Sequence, residues 1–212
     1  MEINKTIDHT VLKPQTSSTD VEKICVEARQ HEFCAVCVPP YFVGRAKQFL
    51  QGSDVLVATV IGFPYGYAGT MAKVEEVKRA VEEGADELDI VINLGALKSG
   101  DWPQVKSDIE RVVTAIRLKG KVSKVIIESS LLSQSELARM VQICNEINPD
   151  FVKTSTGTQG GATEEVLRYL RANLKAGIKI KASGGIRDNS TARAMLSAGA
   201  DRLGTSSGVA LL

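Results

Sequence analysis

The strongest constraint on this chain is the alternation of two kinds of segment from one end to the other. Short runs rich in Val, Ile, Leu and Phe fall at 35–38, 56–61, 87–92, 124–128, 151–154, 179–182 and 202–204, with an earlier one near 6–12. Continuous apolar runs of this length suit strands buried on both faces. Between them lie segments of helical period at 19–30, 43–51, 71–83, 102–117, 135–147, 163–174 and 190–198. In 71–83, Val74, Val77 and Val81 recur on one face while Lys and Glu occupy the others. The Lys, Arg and Glu residues of these helices read as a solvated outer surface.

The boundaries carry matching signals. Ser18-Thr19-Asp20 and Ser133-Gln134-Ser135-Glu136 place capping hydroxyls and acids at helix starts. Gly84-Ala85-Asp86 and Gly199-Ala200-Asp201, with Asn148-Pro149-Asp150 in the same role, end helices and lead straight into strands. The unit recurs roughly every 25–30 residues without a linker, which predicts one parallel α/β domain over 1–212. Eight units favour a closed (β/α)8 TIM barrel, although 212 residues is near the short end for that fold. A doubly wound open sheet is the alternative, but no G-x-G-x-x-G follows the first strand.

Composition narrows the function classes. The formal charge is +1, from 26 Lys plus Arg and 25 Asp plus Glu, so no global electrostatic grip on nucleic acid or anionic membrane is expected. No apolar run approaches the roughly 20 residues that span a bilayer, and the first residues lack a signal-peptide core. The cysteines Cys25, Cys34, Cys37 and Cys144 are read as buried or pocket-lining thiols in a reducing cytoplasm. Cys34 and Cys37 form a C-x2-C pair, but no second pair exists to complete a tetrahedral zinc site. No zinc site is therefore expected from the cysteines, and the two histidines, His9 and His31, supply no pair at metal-ligand spacing.

In a barrel of this kind the site forms at the C-terminal ends of the strands. Two lysines lie in apolar runs there: Lys153 in Phe151-Val152-Lys153-Thr154 and Lys181 in Lys179-Ile180-Lys181-Ala182. Lys179 begins its strand and reaches solvent at the opposite face. Adjacent strands bring Lys153 and Lys181 to about 5 Å at the backbone. Two ammonium groups at that distance repel by about 3 kcal/mol at an effective dielectric near 20. That corresponds to about 2.4 in pKa. One lysine could then be a neutral amine that attacks carbonyls, with the second tuning it. Equally, each lysine could be paired with a carboxylate; spacing alone leaves both readings open. Asp89, inside Glu87-Leu88-Asp89-Ile90-Val91, is an inward candidate for salt-bridge partner or proton shuttle. Asp8 and Glu128 are further inward candidates that would orient the lysines. Ser183-Gly184-Gly185-Ile186 and Gly204-Thr205-Ser206-Ser207-Gly208, after the seventh and eighth strands, are candidate phosphate loops, with the turn at Gly157 as a third wall.

Several segments together resemble one family. They are Ile7-Asp8-His9-Thr10-Val11-Leu12-Lys13-Pro14, Val36-Cys37-Val38, Val60-Ile61-Gly62-Phe63-Pro64, Glu87-Leu88-Asp89-Ile90-Val91-Ile92-Asn93, Phe151-Val152-Lys153-Thr154-Ser155-Thr156-Gly157, Lys181-Ala182-Ser183-Gly184-Gly185-Ile186-Arg187 and Ser206-Ser207-Gly208-Val209. In this order they resemble the deoxyribose-phosphate aldolases, class I aldolases of deoxynucleoside breakdown. The resemblance implies a cofactor-free barrel that reversibly cleaves 2-deoxy-D-ribose 5-phosphate to acetaldehyde and D-glyceraldehyde 3-phosphate. It implies Lys153 as the Schiff-base lysine, Lys181 as the second lysine that lowers its pKa, and Asp89 as proton donor and acceptor through a water. Gly157, Gly184, Gly185, Ser206 and Ser207 would bind phosphate, and Cys37 and Thr10 would line the substrate pocket. A homodimer, or else a tetramer, is implied for the assembly. The sequence departs from the family pattern at Thr158, at Pro39-Pro40 and at Ser129-Ser130, and the loop after Gly157 is one residue short. Another phosphosugar enzyme, or a non-catalytic phosphosugar-binding barrel, are the competing readings.

Overall fold

The computed structural model describes residues 2–212. Eight parallel strands form a closed barrel: β1 Ile7–Thr10, β2 Ala35–Val38, β3 Leu56–Ile61, β4 Glu87–Val91, β5 Val122–Ile126, β6 Phe151–Lys153, β7 Lys179–Ser183 and β8 Arg202–Thr205. Closure comes from β1, which pairs with β2 on one side and β8 on the other. The helices are α1 Ser18–Gln30, α2 Val43–Phe49, α3 Thr70–Glu82, α4 Leu94–Lys98, α5 Trp102–Leu118, α6 Gln134–Ile147, α7 Glu164–Asn173 and α8 Asn189–Ser197. The distribution differs from one helix per strand. Both α4 and α5 follow β4, and β8 is followed by only a 3-10 turn, Gly208–Leu211. No helix among the described residues is long and apolar enough to cross a membrane.

Local chemistry explains the helix starts. Ser17 with Asp20, and Ser133 with Glu136, form reciprocal capping boxes that satisfy two backbone donors each. Asp101 caps α5, whose first turn carries Pro103, where no backbone donor is lost. The aspartates that follow the helix ends have a second role. Asp86 accepts from Val57 N at 3.1 Å, Asp150 from Ser123 N at 2.8 Å and Asp201 from Ile180 N at 2.7 Å. Each thus ties the entry of an even-numbered strand to the strand before it.

The main apolar core lies between the barrel and the helices. One expected surface residue is part of that layer. Lys73 of α3 is fully buried against Asp108 of α5, so the helix charges are not all solvated. The buried face of α3 is Lys73, Val77 and Ala80, with Val74 and Val81 only partly covered. Inside the barrel, β2 and β3 contribute a small separate apolar cluster of Cys37, Ala58 and Val60, under Leu12 and Phe63. Beside that cluster the interior carries charged side chains, with the Phe151 ring against Lys124 and Arg202.

Candidate active site

Strand parity brings seven charged side chains into the barrel. They are Asp8 from β1, Glu87 and Asp89 from β4, Lys124 from β5, Lys153 from β6, Lys181 from β7 and Arg202 from β8, all 10% exposed or less. Register places Lys153 beside Lys181, and Lys181 beside Arg202. Six of them form a closed ring of alternating sign. Asp89 Oδ1 accepts from Lys124 at 2.8 Å, and Lys124 reaches Glu87 at 2.6 Å. Glu87 accepts twice from Arg202, at 3.1 and 3.3 Å. Arg202 Nε donates to Asp8 at 2.8 Å, and Asp8 Oδ2 lies 2.5 Å from Lys181. Lys181 closes the ring on Asp89 Oδ2 at 2.8 Å.

Lys153 is the seventh member and stands outside the ring. Its single carboxylate contact is Asp89 Oδ2 at 2.8 Å, the oxygen Lys181 also uses. The two lysines therefore do not face each other bare; the carboxylate reading left open by spacing is what the structure shows. Burial disfavours charge throughout, but partners outweigh it at several members. Lys181 is raised above the ordinary lysine range because Asp8 and Asp89 overcome its desolvation. Lys124 is raised, with Asp89 and Glu87 opposing its burial. Asp89 sits well below the carboxylate range despite complete burial, held there by Lys124, Lys153 and Lys181. Asp8 is likewise lowered, by Lys181, Arg202 and Lys124 against its burial. Asp8, Asp89, Lys124, Lys181 and Arg202 are thus each held in the charged form at neutral pH.

A cavity of about 610 Å³ opens above this cluster at the C-terminal end of the barrel. Lys153 lines it; the other six cluster residues do not. Thr10, Gly157, Gly184, Gly185 and Ser206 also line it, as do Thr156, Thr158 and Arg187. The loops after β6 and β7 are stitched together, since Ala162 N donates to Ser183 O at 3.0 Å. Gly184 has φ +86°, and a Cβ there would stand 2.6 Å from Gly160 O, so the close crossing of the two loops needs glycine. Thr205 Oγ1 joins the third loop by donating to Ile186 O at 2.7 Å.

Other expected residues sit further back. Ser207 does not line the cavity, and its N–H donates to Thr205 Oγ1 at 2.9 Å. Cys37 is fully buried in the apolar cluster, and Leu12 and Phe63 cover that cluster and face the cavity. Burial pushes the Cys37 thiol up, with Asp89 in the same direction and Lys181 and Lys153 opposing. Glu128 is a correction. β5 ends at Ile126, and Glu128 has φ +49°, so it leaves the strand alternation. It accepts from Thr156 N at 3.1 Å and from the Thr156 hydroxyl, and so anchors the loop after β6. Lys124 and Arg202 went unforeseen because each begins its predicted run and reads as a solvent-reaching end, as Lys179 does. The signal that could have found Lys124 is parity with Ile126 in a strand begun two residues earlier. No group of three His, Cys, Asp or Glu side chains arranged to hold a metal occurs among the described residues.

Known proteins place this barrel in a family. The model of the DeoC/LacD family aldolases matches residues 3–212. The deoxyribose-phosphate aldolase of Thermococcus gammatolerans is 51% identical over 215 residues, covering 100% of this chain and 96% of that protein. That of Desulfitobacterium hafniense is 50% identical over 207 residues, covering 97% and 95%. Among solved structures, the tetrameric deoxyribose phosphate aldolase from Aeropyrum pernix superposes with a TM-score of 0.91 at 33% identity, over 99% of this chain and 88% of that one. With nearly its whole length matched in sequence and fold, the chain belongs to the DeoC/LacD family of aldolases.

Proposed function

We propose that this aldolase reversibly cleaves 2-deoxy-D-ribose 5-phosphate to acetaldehyde and D-glyceraldehyde 3-phosphate through a Schiff base on Lys153. The observation that carries the reading is that Lys153 alone of the buried cationic cluster lines the cavity, while its one carboxylate oxygen is shared with Lys181. Nζ of Lys153 adds to C1 of the open-chain sugar, and loss of water leaves an iminium. A base removes the C3 hydroxyl proton, the C2–C3 bond breaks, and its electron pair moves toward the iminium nitrogen to form an enamine. Glyceraldehyde 3-phosphate departs; protonation of C2 and hydrolysis then release acetaldehyde and restore the amine. Asp89 shuttles protons through a water, and Lys181, held as a cation by Asp8 and Asp89, keeps that carboxylate oriented. The apolar wall of Leu12 and Phe63 faces the two-carbon fragment. The backbone of Gly157, Gly184 and Gly185 with the Ser206 hydroxyl receives the phosphate, and Ser207 supports that loop from behind. The pathway is deoxynucleoside breakdown in the cytoplasm, by a homo-oligomer.

The test is to incubate the protein with acetaldehyde, add borohydride, and map the adduct by peptide mass. The expected result is a two-carbon adduct on Lys153, lost in Lys153→Ala and weakened in Lys181→Leu. An adduct on another lysine would move the nucleophile. No adduct in folded protein would leave a phosphosugar-binding barrel as the better account.

A further inference from the structure

Asp89 offers two oxygens to three lysines. Oδ1 takes Lys124, and Oδ2 takes Lys153 and Lys181. Both Lys124 and Lys181 have a second carboxylate behind them, Glu87 at 2.6 Å and Asp8 at 2.5 Å. Arg202 spans those two carboxylates with its planar fork and fixes their separation. Neither Glu87 nor Arg202 reaches the cavity, and neither contacts Lys153. Yet they complete the ring that determines how firmly Lys124 and Lys181 draw on Asp89.

We propose that Glu87 and Arg202 are positioning residues of the reaction, closing a ring of three acidic and three basic side chains beneath Lys153 that holds Asp89 in place and leaves Lys153 as the one basic group of the cluster without a carboxylate of its own. The inference rests on the Schiff-base reading above. Loss of Glu87 leaves Lys124 with Asp89 at 2.8 Å and the more distant Asp8 at 4.0 Å, and removes one negative charge from the cluster. Loss of Arg202 sets Asp8 and Glu87 loose and gives one more negative charge. The charged or titratable groups arranged around Lys153 are Asp8 from β1, Cys37 from β2, Glu87 and Asp89 from β4, Lys124 from β5, Lys181 from β7 and Arg202 from β8; β3 supplies only Ala58 and Val60 there.

A purely structural ion pair and a positioning pair make different predictions. If the pair only stabilises the fold, removing either partner has the same kind of effect. If it sets the charge balance under the nucleophile, the two removals act with opposite sign. The experiment measures the pH profile of borohydride trapping with acetaldehyde in the wild type, Glu87→Gln, Arg202→Met and the double variant, with circular dichroism to verify folding. The acid limb of Glu87→Gln is expected to move to lower pH by roughly half to one pH unit, and that of Arg202→Met to higher pH by a similar amount. The double variant has lost one acid and one base and is expected to return to within about 0.3 of the wild-type profile. Should Arg202→Met not fold, the acid shift in Glu87→Gln and its reversal in the double variant still decide. Shifts in a common direction, or unmoved profiles in folded variants, would overturn the proposal. A wild type that traps nothing would sink the Schiff-base assignment and this one together, whereas a trapping wild type with unmoved variants sinks this one alone.

Discussion

Two lysines of this barrel are buried to nearly the same degree and are held in opposite ways. Lys73 lies in the helix layer, donates to Asp108 at 2.6 Å and to the Val91 carbonyl at 2.9 Å, and does not line the cavity above the barrel. Its acid is held in turn by the Thr70 hydroxyl at 2.8 Å. Lys153 lies inside the barrel with one shared carboxylate oxygen, and the cavity opens on it. Burial is therefore not what sets the proposed nucleophile apart. Lys73 has its own carboxylate and a carbonyl, whereas Lys153 shares a single carboxylate oxygen with Lys181.

The largest expected difference follows from that contrast. Lys153→Ala is expected to lower kcat for deoxyribose 5-phosphate cleavage by roughly 10³-fold or more. Its thermal stability should be unchanged or raised, because the ring it leaves remains balanced. Lys73→Met is expected to do the reverse. Removing one partner of a buried pair costs about 3–5 kcal/mol in stability. Urea unfolding would measure it, and trapping per folded molecule should match the wild type. Pairing it with Asp108→Leu should recover much of the loss. A Lys73→Met protein of native stability, or a Lys153→Ala protein with native turnover, would break the comparison.

A finer contrast comes from the glycines that run past Lys181, the neighbour of Lys153 on Asp89, and past Lys73. A Cβ on Gly204 of β8 would stand 3.0 Å from Lys181 Cε and 2.9 Å from Ser183 Cβ. A Cβ on Gly62 would stand 2.8 Å from Lys73 Cε, at a backbone φ of +64°. Gly204→Ala should therefore displace Lys181 and lower kcat by about 10-fold, since small misplacements near the reacting groups are expensive in rate. Gly62→Ala should lower stability by about 1–3 kcal/mol before it touches the rate. Equal effects of both substitutions on kcat would show that the helix-layer lysine is not insulated from the site.

The same contrast explains how much the sequence could reveal. The eight strands and their order are readable because a parallel barrel needs apolar runs at regular spacing, and Lys153, Lys181 and Asp89 stand out as charges inside such runs. Lys73 is hidden, since an isolated lysine on an amphipathic helix looks like every solvated one, and its partner Asp108 is 35 residues away. Glu128 misleads for a different reason: it follows an apolar run, and only its left-handed backbone, just before the 3-10 turn Ser129–Leu131, takes it out of the alternation. Arg202 begins β8, and Lys124 begins its apolar run although it is the third residue of β5, so solvent reads as the ordinary destination of both. Their inward direction depends on the other members of the ring, which no local window contains.

The smallest expected effect concerns acid and base stability. Asp8 and Asp89 are held below the ordinary aspartate value of 3.8, so the stability they contribute is fully present above that pH and is lost as pH falls through their lower folded values. Lys124 and Lys181 are held above 10.5, so their contribution is present below that pH and is lost as pH rises through their folded values. Both contributions are complete between about pH 5 and pH 9, and within that window the ring should add less than about 0.5 kcal/mol of pH dependence. Unfolding free energies of the wild type and of Asp8→Asn across the window would measure the difference. A difference that changes steeply between pH 5 and 7 would mean that Asp8 titrates near neutrality in the folded protein. Asp8 would then not be the fixed negative charge that holds Lys181 beside Asp89.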